Sequence, residues 1–252
     1  MKPNTASPNV HIISNFFMPQ LQRHRTIRIF LPHNYFKTTD HYPVIYMQDG
    51  QNLFDQATAY HREWKVDKTI NKLTKGKKQA AIVVGIDNGG ENRSQEYAPY
   101  RHSRLGGGQG DAYLDFIVQT LKPYIDSHFR TKPFRETTAI AGSSMGGLIS
   151  FYAGIKFPHI FGKIGAFSPS FWFNPQVYEM AKKSHYYPTQ WYVAGSETES
   201  RYMRKNLQDV YWALKQSGYT DTELQIIVRD RGKHNEVFWS REFPKMYQWW
   251  FF

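Results

Sequence analysis

Short apolar runs alternate with helical spacings along most of this chain. The runs Val10–Phe17, Thr26–Leu31, Pro43–Gln48 and Ala80–Ile86 predict strands, the second of them stopped by Pro32. Ala80–Ile86 reads as a continuous β-branched stretch, the pattern of a parallel strand covered on both faces. Between Asp111 and Phe129 the period changes. Tyr113, Phe116, Ile117, Leu121, Tyr124 and Ile125 share one face of a helix, and Pro123 is expected to kink its second half. Thr137–Ala141 is again a strand, followed by a helix carrying Leu148, Phe151, Tyr152 and Ile155 and closed by Pro158. Lys163–Phe167, Gln190–Ala194 and Leu224–Val228 complete the predicted strands. Leu207, Val210, Tyr211 and Leu214 mark a helix ending before Gly218, and a last helix begins at Glu236. The periodicity of its aromatic tail favours packing on the sheet over membrane contact. Strands alternating with helices predict an α/β fold with a mostly parallel sheet. No repeat, low-complexity tract or linker interrupts it, so residues 1–252 are expected to form one domain.

Composition narrows the function classes. Hydrophobic residues make up 40% of the 252 positions and aromatics 17%, enough for a large core and too many for a disordered chain. There is no cysteine, which excludes disulfides, CxxC redox centres and thiolate metal sites. No HExxH or similar histidine pair points to a metal, and no cofactor is expected. No apolar run approaches the ~18 residues of a membrane span. The first twenty residues lack the apolar core of a secretory signal, so a soluble, cytoplasmic protein is expected. The net charge is +11. It is spread along the chain, and its densest cluster (Lys72, Lys75, Lys77 and Lys78) falls where a solvated loop is expected. No nucleic-acid-binding pattern accompanies it; a basic surface could instead steer an anionic small molecule.

Chemistry concentrates at one turn. Gly142-Ser143-Ser144-Met145-Gly146 is G-x-S-x-G between a predicted strand and a predicted helix. A nucleophile on so sharp a turn needs small neighbours two positions away on each side, hence the glycines. The helix N-terminus behind Ser144 favours negative charge, and the Met145 N–H would face a developing oxyanion. Serine needs a base, and in this architecture the chain order is Ser, acid, His. His234 follows the last strand on a glycine-containing loop, whereas His185 precedes a strand and belongs to the opposite edge. The acid is expected after Gln190–Ala194. Glu197 and Glu199 are nearly equal candidates there, with Asp230 on the histidine's own strand as an outsider.

These residues resemble a known family. Ala141 to Gly147, together with Ile164-Gly-Ala-Phe-Ser-Pro-Ser170-Phe-Trp172, look like the Putative esterase family of α/β hydrolases. Its relatives include siderophore esterases, feruloyl esterases, S-formylglutathione hydrolases and mycolyl transferases. Tyr46-Met-Gln-Asp-Gly-Gln51, Arg93-Ser-Gln-Glu96-Tyr97 and the loop from Gly232 to Glu236 are similar to other segments of the family. The resemblance covers nearly the whole chain and is strongest to the stand-alone siderophore-esterase-like branch. It implies an α/β-hydrolase fold, with Ser144 as nucleophile and His234 as general base. It adds the Gln51 N–H to that of Met145 as oxyanion donor. The family's usual acid position falls on Thr198 here; a one-residue shift makes Glu199 the better match. Trp172, Phe173 and Arg93 are candidates for substrate contact, although an Arg93–Glu96 ion pair and core packing of the aromatics compete. Gly106 to Gly110 lacks the Lys-Ser/Thr of a phosphate loop and is expected to be a flexible loop near the cleft.

Three functions fit. A serine esterase would pass through an acyl-enzyme to water, on a small ester that is aromatic or siderophore-like. An acyltransferase would pass the same acyl group to an alcohol. A binding module would use the fold without chemistry and would leave Ser144 inert toward a covalent serine probe.

Overall fold

The structure is a computed structural model that describes residues 2–76 and 79–252. Lys77 and Lys78 of the lysine cluster lie outside the described residues. The strands are β1 (Val10–Met18), β2 (Arg23–Phe30), β3 (Val44–Gln48) and β4 (Ile82–Ile86), then the two-residue β5 (Arg101–His102) and β6 (Gly106–Gly107). They continue as β7 (Thr138–Ser143), β8 (Lys163–Phe167), β9 (Gln190–Ser196) and β10 (Leu224–Arg229). All but β5 and β6 join one eight-stranded sheet, in the order β1-β2-β4-β3-β7-β8-β9-β10. Within this sheet, β1–β2 and β2–β4 pair antiparallel and every pair from β4 to β10 is parallel; the β5–β6 pair, outside it, is antiparallel.

Period-two alternation explains how both faces are covered. In β3, Val44 and Tyr46 enter one core while Ile45 and Met47 enter the other; in β4, Ile82, Val84 and Ile86 face the first and Val83 the second. The first core is roofed by α3 (Gly110–Phe116), α4 (Lys122–His128), α5 (Met145–Lys156), α6 (Gln176–Lys183) and α7 (Met203–Gln216). The second is roofed by α1 (Val66–Leu73) and α8 (Glu236–Phe251), the latter through Trp239, Phe243, Met246, Tyr247 and Trp250. The tail therefore packs on the sheet through Met246, Tyr247 and Trp250, while Phe252 is half exposed. Among the described residues no helix is long and apolar enough to cross a membrane.

Three local expectations change. The 111–129 helix does not simply kink at Pro123: a π-helical stretch, Ile117–Leu121, separates α3 from α4. Proline lacks an N–H and crowds the carbonyl four residues back, and a wider π turn relieves that crowding. The loop expected to be flexible is a ribbon of β5 and β6, pinned by the Gly107 N–H donating to Gln95 Oε1 at 2.9 Å. Gly107 has φ +97°, and a Cβ there would meet the Ala98 side chain at 2.7 Å, so glycine is required by backbone and space together. β2 starts three residues before the expected Thr26, because Arg23, His24 and Arg25 conceal its beginning.

Candidate active site

The carboxyl ends of five neighbouring strands converge, which is where open α/β sheets bind ligands. β3 leads to Asp49 and Gln51, β7 to Ser144, β8 to Ser168 and Ser170, β9 to Glu199, and β10 to His234. Asp49, Ser144 and Ser168 all have positive φ (55°, 57° and 45°) without being glycine. Each such residue costs about 1–3 kcal/mol unless its surroundings hold it, and clusters of them mark functional turns.

At the β7–α5 turn the two glycines are required by close approach. A Cβ on Gly142 would sit 2.6 Å from the Gly146 carbonyl oxygen, and one on Gly146 would sit 2.9 Å from Gln48 Cβ. Ser144 has φ 57° and ψ −122° and immediately precedes α5. Its Oγ lies 2.9 Å from His234 Nε2 and 3.1 Å from Ser170 Oγ. His234 Nδ1 lies 3.0 Å from Glu199 Oε2. The Glu199 carboxylate is 1% exposed, and its other oxygen accepts from Ser168 Oγ at 2.9 Å and the Ser196 N–H at 3.0 Å.

This separates the two acid candidates. Glu199 reaches His234, while Glu197 turns outward to an ion pair with Arg204. Asp230 makes no hydrogen bond or ion pair with the histidine among the described residues. Thr198, at the family's usual acid position, links two loops instead: its Oγ1 donates to the Gly232 carbonyl and accepts from the Gly232 N–H at 3.0 Å. Asn235 then caps α8, its side chain accepting from the Val237 N–H at 3.1 Å, which fixes the residue just after His234.

The β3 turn is held from outside. Arg93 Nε and Nη2 donate to Asp49 Oδ1 and Oδ2 at 2.7 and 2.9 Å, and Asn88 Nδ2 donates to Oδ1 at 2.7 Å. Burial alone would lower the Arg93 pKa, but the Asp49 carboxylate outweighs it and raises it above the ordinary value. The Gln51 side chain accepts from the Asn88 N–H at 3.1 Å. Neither the Gln51 nor the Met145 backbone N–H has a protein acceptor among the described residues. The expected Arg93–Glu96 ion pair does not form. Glu96 is fully buried against two arginines of β2, accepting from Arg25 at 2.7 and 2.8 Å and from Arg23 at 2.9 Å. The two residues sit on one short helix, α2 (Arg93–Glu96), but serve different strands.

A cavity of about 720 Å³ opens over Ser144 and His234, with Gln51, Tyr60, His61, Arg93 and Trp239 in its wall. Trp172 is not in that wall; its indole is 61% exposed beside Phe173, 5.6 Å between ring centroids. Among the described residues no group of three or more His, Asp or Glu side chains is placed to hold a metal. Three contributors escape sequence reading: Asp49 as the partner of Arg93, Ser168 under Glu199, and Trp239. The Trp239 Nε1–H donates to Ser168 Oγ at 2.9 Å, and its ring meets His234 edge-on at 5.2 Å.

Comparison with known proteins follows the same lines. The family model described as Putative esterase matches residues 19–250. The chain belongs to this family. Membership makes it a hydrolase of carboxylic esters. It is similar to the uncharacterized protein YbbA of Bacillus subtilis (strain 168), 27% identical over 89% of this chain and 92% of that protein. It is similar to the siderophore triacetylfusarinine C esterase of Aspergillus fumigatus, 30% identical over 52% of this chain and 45% of that one. The crystal structure of the enterobactin esterase FES from Shigella flexneri, determined in the presence of enterobactin, superposes with a TM-score of 0.75 at 19% identity. That match spans 98% of this chain and 60% of the Shigella chain, and it establishes the α/β-hydrolase fold.

Proposed function

We propose that the chain is a serine esterase acting through an acyl-enzyme, with residues 1–252 working as one domain. The observation that carries this reading is the unbroken line Ser144–His234–Glu199, at 2.9 and 3.0 Å, opening into the cavity. In the reaction, Ser144 Oγ bonds to the ester carbonyl carbon while His234 Nε2 takes the hydroxyl proton. The carbonyl π pair moves onto oxygen, where the Gln51 and Met145 N–H groups receive it. When the carbonyl re-forms, the C–O bond to the alcohol breaks and the departing oxygen takes the proton from Nε2. Water then repeats the sequence with His234 as base and releases the acid and free Ser144. Glu199 holds the imidazole with its proton on Nδ1 and stabilises the imidazolium.

The substrate in this reading is a small siderophore-type or aromatic ester with negative charge. One relative is named a siderophore triacetylfusarinine C esterase and a structural neighbour an enterobactin esterase, and Arg93 lines the cavity with its Nη1 bonded to no protein acceptor among the described residues. The experiment pairs a fluorophosphonate serine probe with a chromogenic short-chain ester and a catecholate trilactone. Labelling and hydrolysis by the wild type should both vanish in Ser144→Ala, with turnover falling at least about 10³-fold. Normal turnover by Ser144→Ala would overturn the mechanism. Hydrolysis of simple esters without the trilactone would remove the siderophore assignment alone.

A further inference from the structure

We propose that the segment Ser168-Pro169-Ser170 sets the direction of the protons at both ends of the Ser144–His234–Glu199 line, Ser168 as a positioning residue and Ser170 as a donor to the reacting oxygen. The inference rests on the reading of Ser144 as nucleophile.

The argument is one of donors and acceptors. An indole N–H can only donate, so Trp239 occupies a lone pair of Ser168 Oγ at 2.9 Å. The Ser168 hydrogen is left for Glu199 Oε1, also at 2.9 Å. The Ser196 N–H gives that same oxygen a second donor at 3.0 Å. A carboxylate accepts, so Oε2 takes a proton from His234 Nδ1 at 3.0 Å, and Nε2 is left as an acceptor. Ser144 must then give its only hydroxyl hydrogen to Nε2. Ser170 Oγ, 3.1 Å from Ser144 Oγ, can approach that atom only as a donor. Ser170 is 3% exposed, and its hydroxyl has no other partner among the described residues. Its hydrogen therefore stays on Ser144 Oγ as the proton leaves toward His234, where charge develops.

The backbone is organised for this. Ser168 is fully buried, has φ 45° and donates its N–H to Ala194 at 2.6 Å. The Ser170 N–H donates to the Ser144 carbonyl at 3.0 Å, and the Ser144 N–H to the Phe167 carbonyl at 2.9 Å. A strained serine and a proline thus aim two hydroxyls, two positions apart, at the two ends of the line.

The test uses the full chain. Ser170→Ala should lower kcat and the phosphonate labelling rate by roughly 10- to 100-fold, the range for a hydrogen bond to a charged group, with KM changed less than about 3-fold. Ser170→Thr, which keeps the hydroxyl, should recover most of the labelling rate. Ser168→Ala should lower kcat and also move or broaden the low-field Nδ1 proton resonance of His234. Far-UV circular dichroism and melting temperature establish that each variant is folded. Folded Ser170→Ala and Ser168→Ala proteins with wild-type kcat and an unmoved resonance would overturn the inference. If Ser144→Ala is inactive in the same series, the nucleophile reading survives that failure; if Ser144→Ala is active, both fall.

Discussion

Ser144 holds a conformation that L-residues avoid, at φ 57° and ψ −122°. Its hydroxyl bonds to His234 and Ser170, but its backbone is strained, and the chain keeps both. Alanine and glycine remove those side-chain bonds equally at this position and differ in how they tolerate the backbone. Ser144→Gly should therefore be more stable than Ser144→Ala by about 1 kcal/mol, or roughly 2–4 °C in melting temperature, with both inactive. Differential scanning calorimetry checks the order; a more stable alanine variant would mean that the turn is not strained. Much at this scale is legible in the sequence. Gly142 and Gly146 flank Ser144 visibly, and His234 is singled out by its place after the last strand. Glu199 needs the resemblance to separate it from Glu197, because the two differ in direction around a turn rather than in type. Ser168 and Trp239 are 71 positions apart, and no spacing rule joins them.

Elements are where the sequence speaks most plainly, since a buried strand or helix face repeats a signal over many residues. β4 is apolar through all five positions because helices cover both its faces. Ends are harder to read. β7 and β9 each run two residues past the expected limit, to Ser143, which lines the cavity, and Ser196, whose hydroxyl meets Thr198. The π stretch before Pro123 is invisible to periodicity because its apolar residues keep the same face. Helix ends nonetheless carry function. Asn235 caps α8 directly behind His234, so Asn235→Ala should cost about 1 kcal/mol of stability. It should also lower kcat more than it raises KM, because it loosens the histidine's own loop. Urea unfolding and steady-state kinetics measure the two effects, and an unchanged unfolding midpoint would exclude the cap.

Across the whole molecule, charge is the variable with the longest reach. A net +11 should draw an anionic ester toward the cavity. Raising salt from about 0.05 to about 0.5 M should lower kcat/KM several-fold for an anionic ester and leave a neutral isostere unchanged. Equal sensitivity of both would remove steering from the account. One cation carries a stability cost. Burial, then the Arg135 guanidinium, lower the Lys163 ammonium from 10.5 to about 8. Between those values the unfolded chain keeps a proton that the folded chain has released. The penalty is thus full below pH 8 and fades as pH rises toward 10.5. Lys163→Met should be stabilised relative to wild type most at about pH 7, with the gap narrowing by about pH 9.5, as urea midpoints at both pH values will measure. The architecture at this scale follows from alternation of apolar runs, whereas strand order does not: a crossover leaves no local trace.

The groups gathered at the sheet's edge span the chain from Asp49 to His234, and Ser144 and His234 alone are 90 positions apart. During synthesis, then, a growing chain carries Ser144 long before it carries its proposed base, His234. The Ser144 hydroxyl meets Ser170 early, but it gains His234 only after the loop beyond β10 has emerged and β10 has docked beside β9. On the proposed mechanism, a nascent or truncated chain lacking that last strand should give little or no probe labelling however well its earlier strands have paired. In a refolding experiment, the return of probe labelling times the arrival of β10 and α8, and a spectroscopic signal from the earlier helices should precede it.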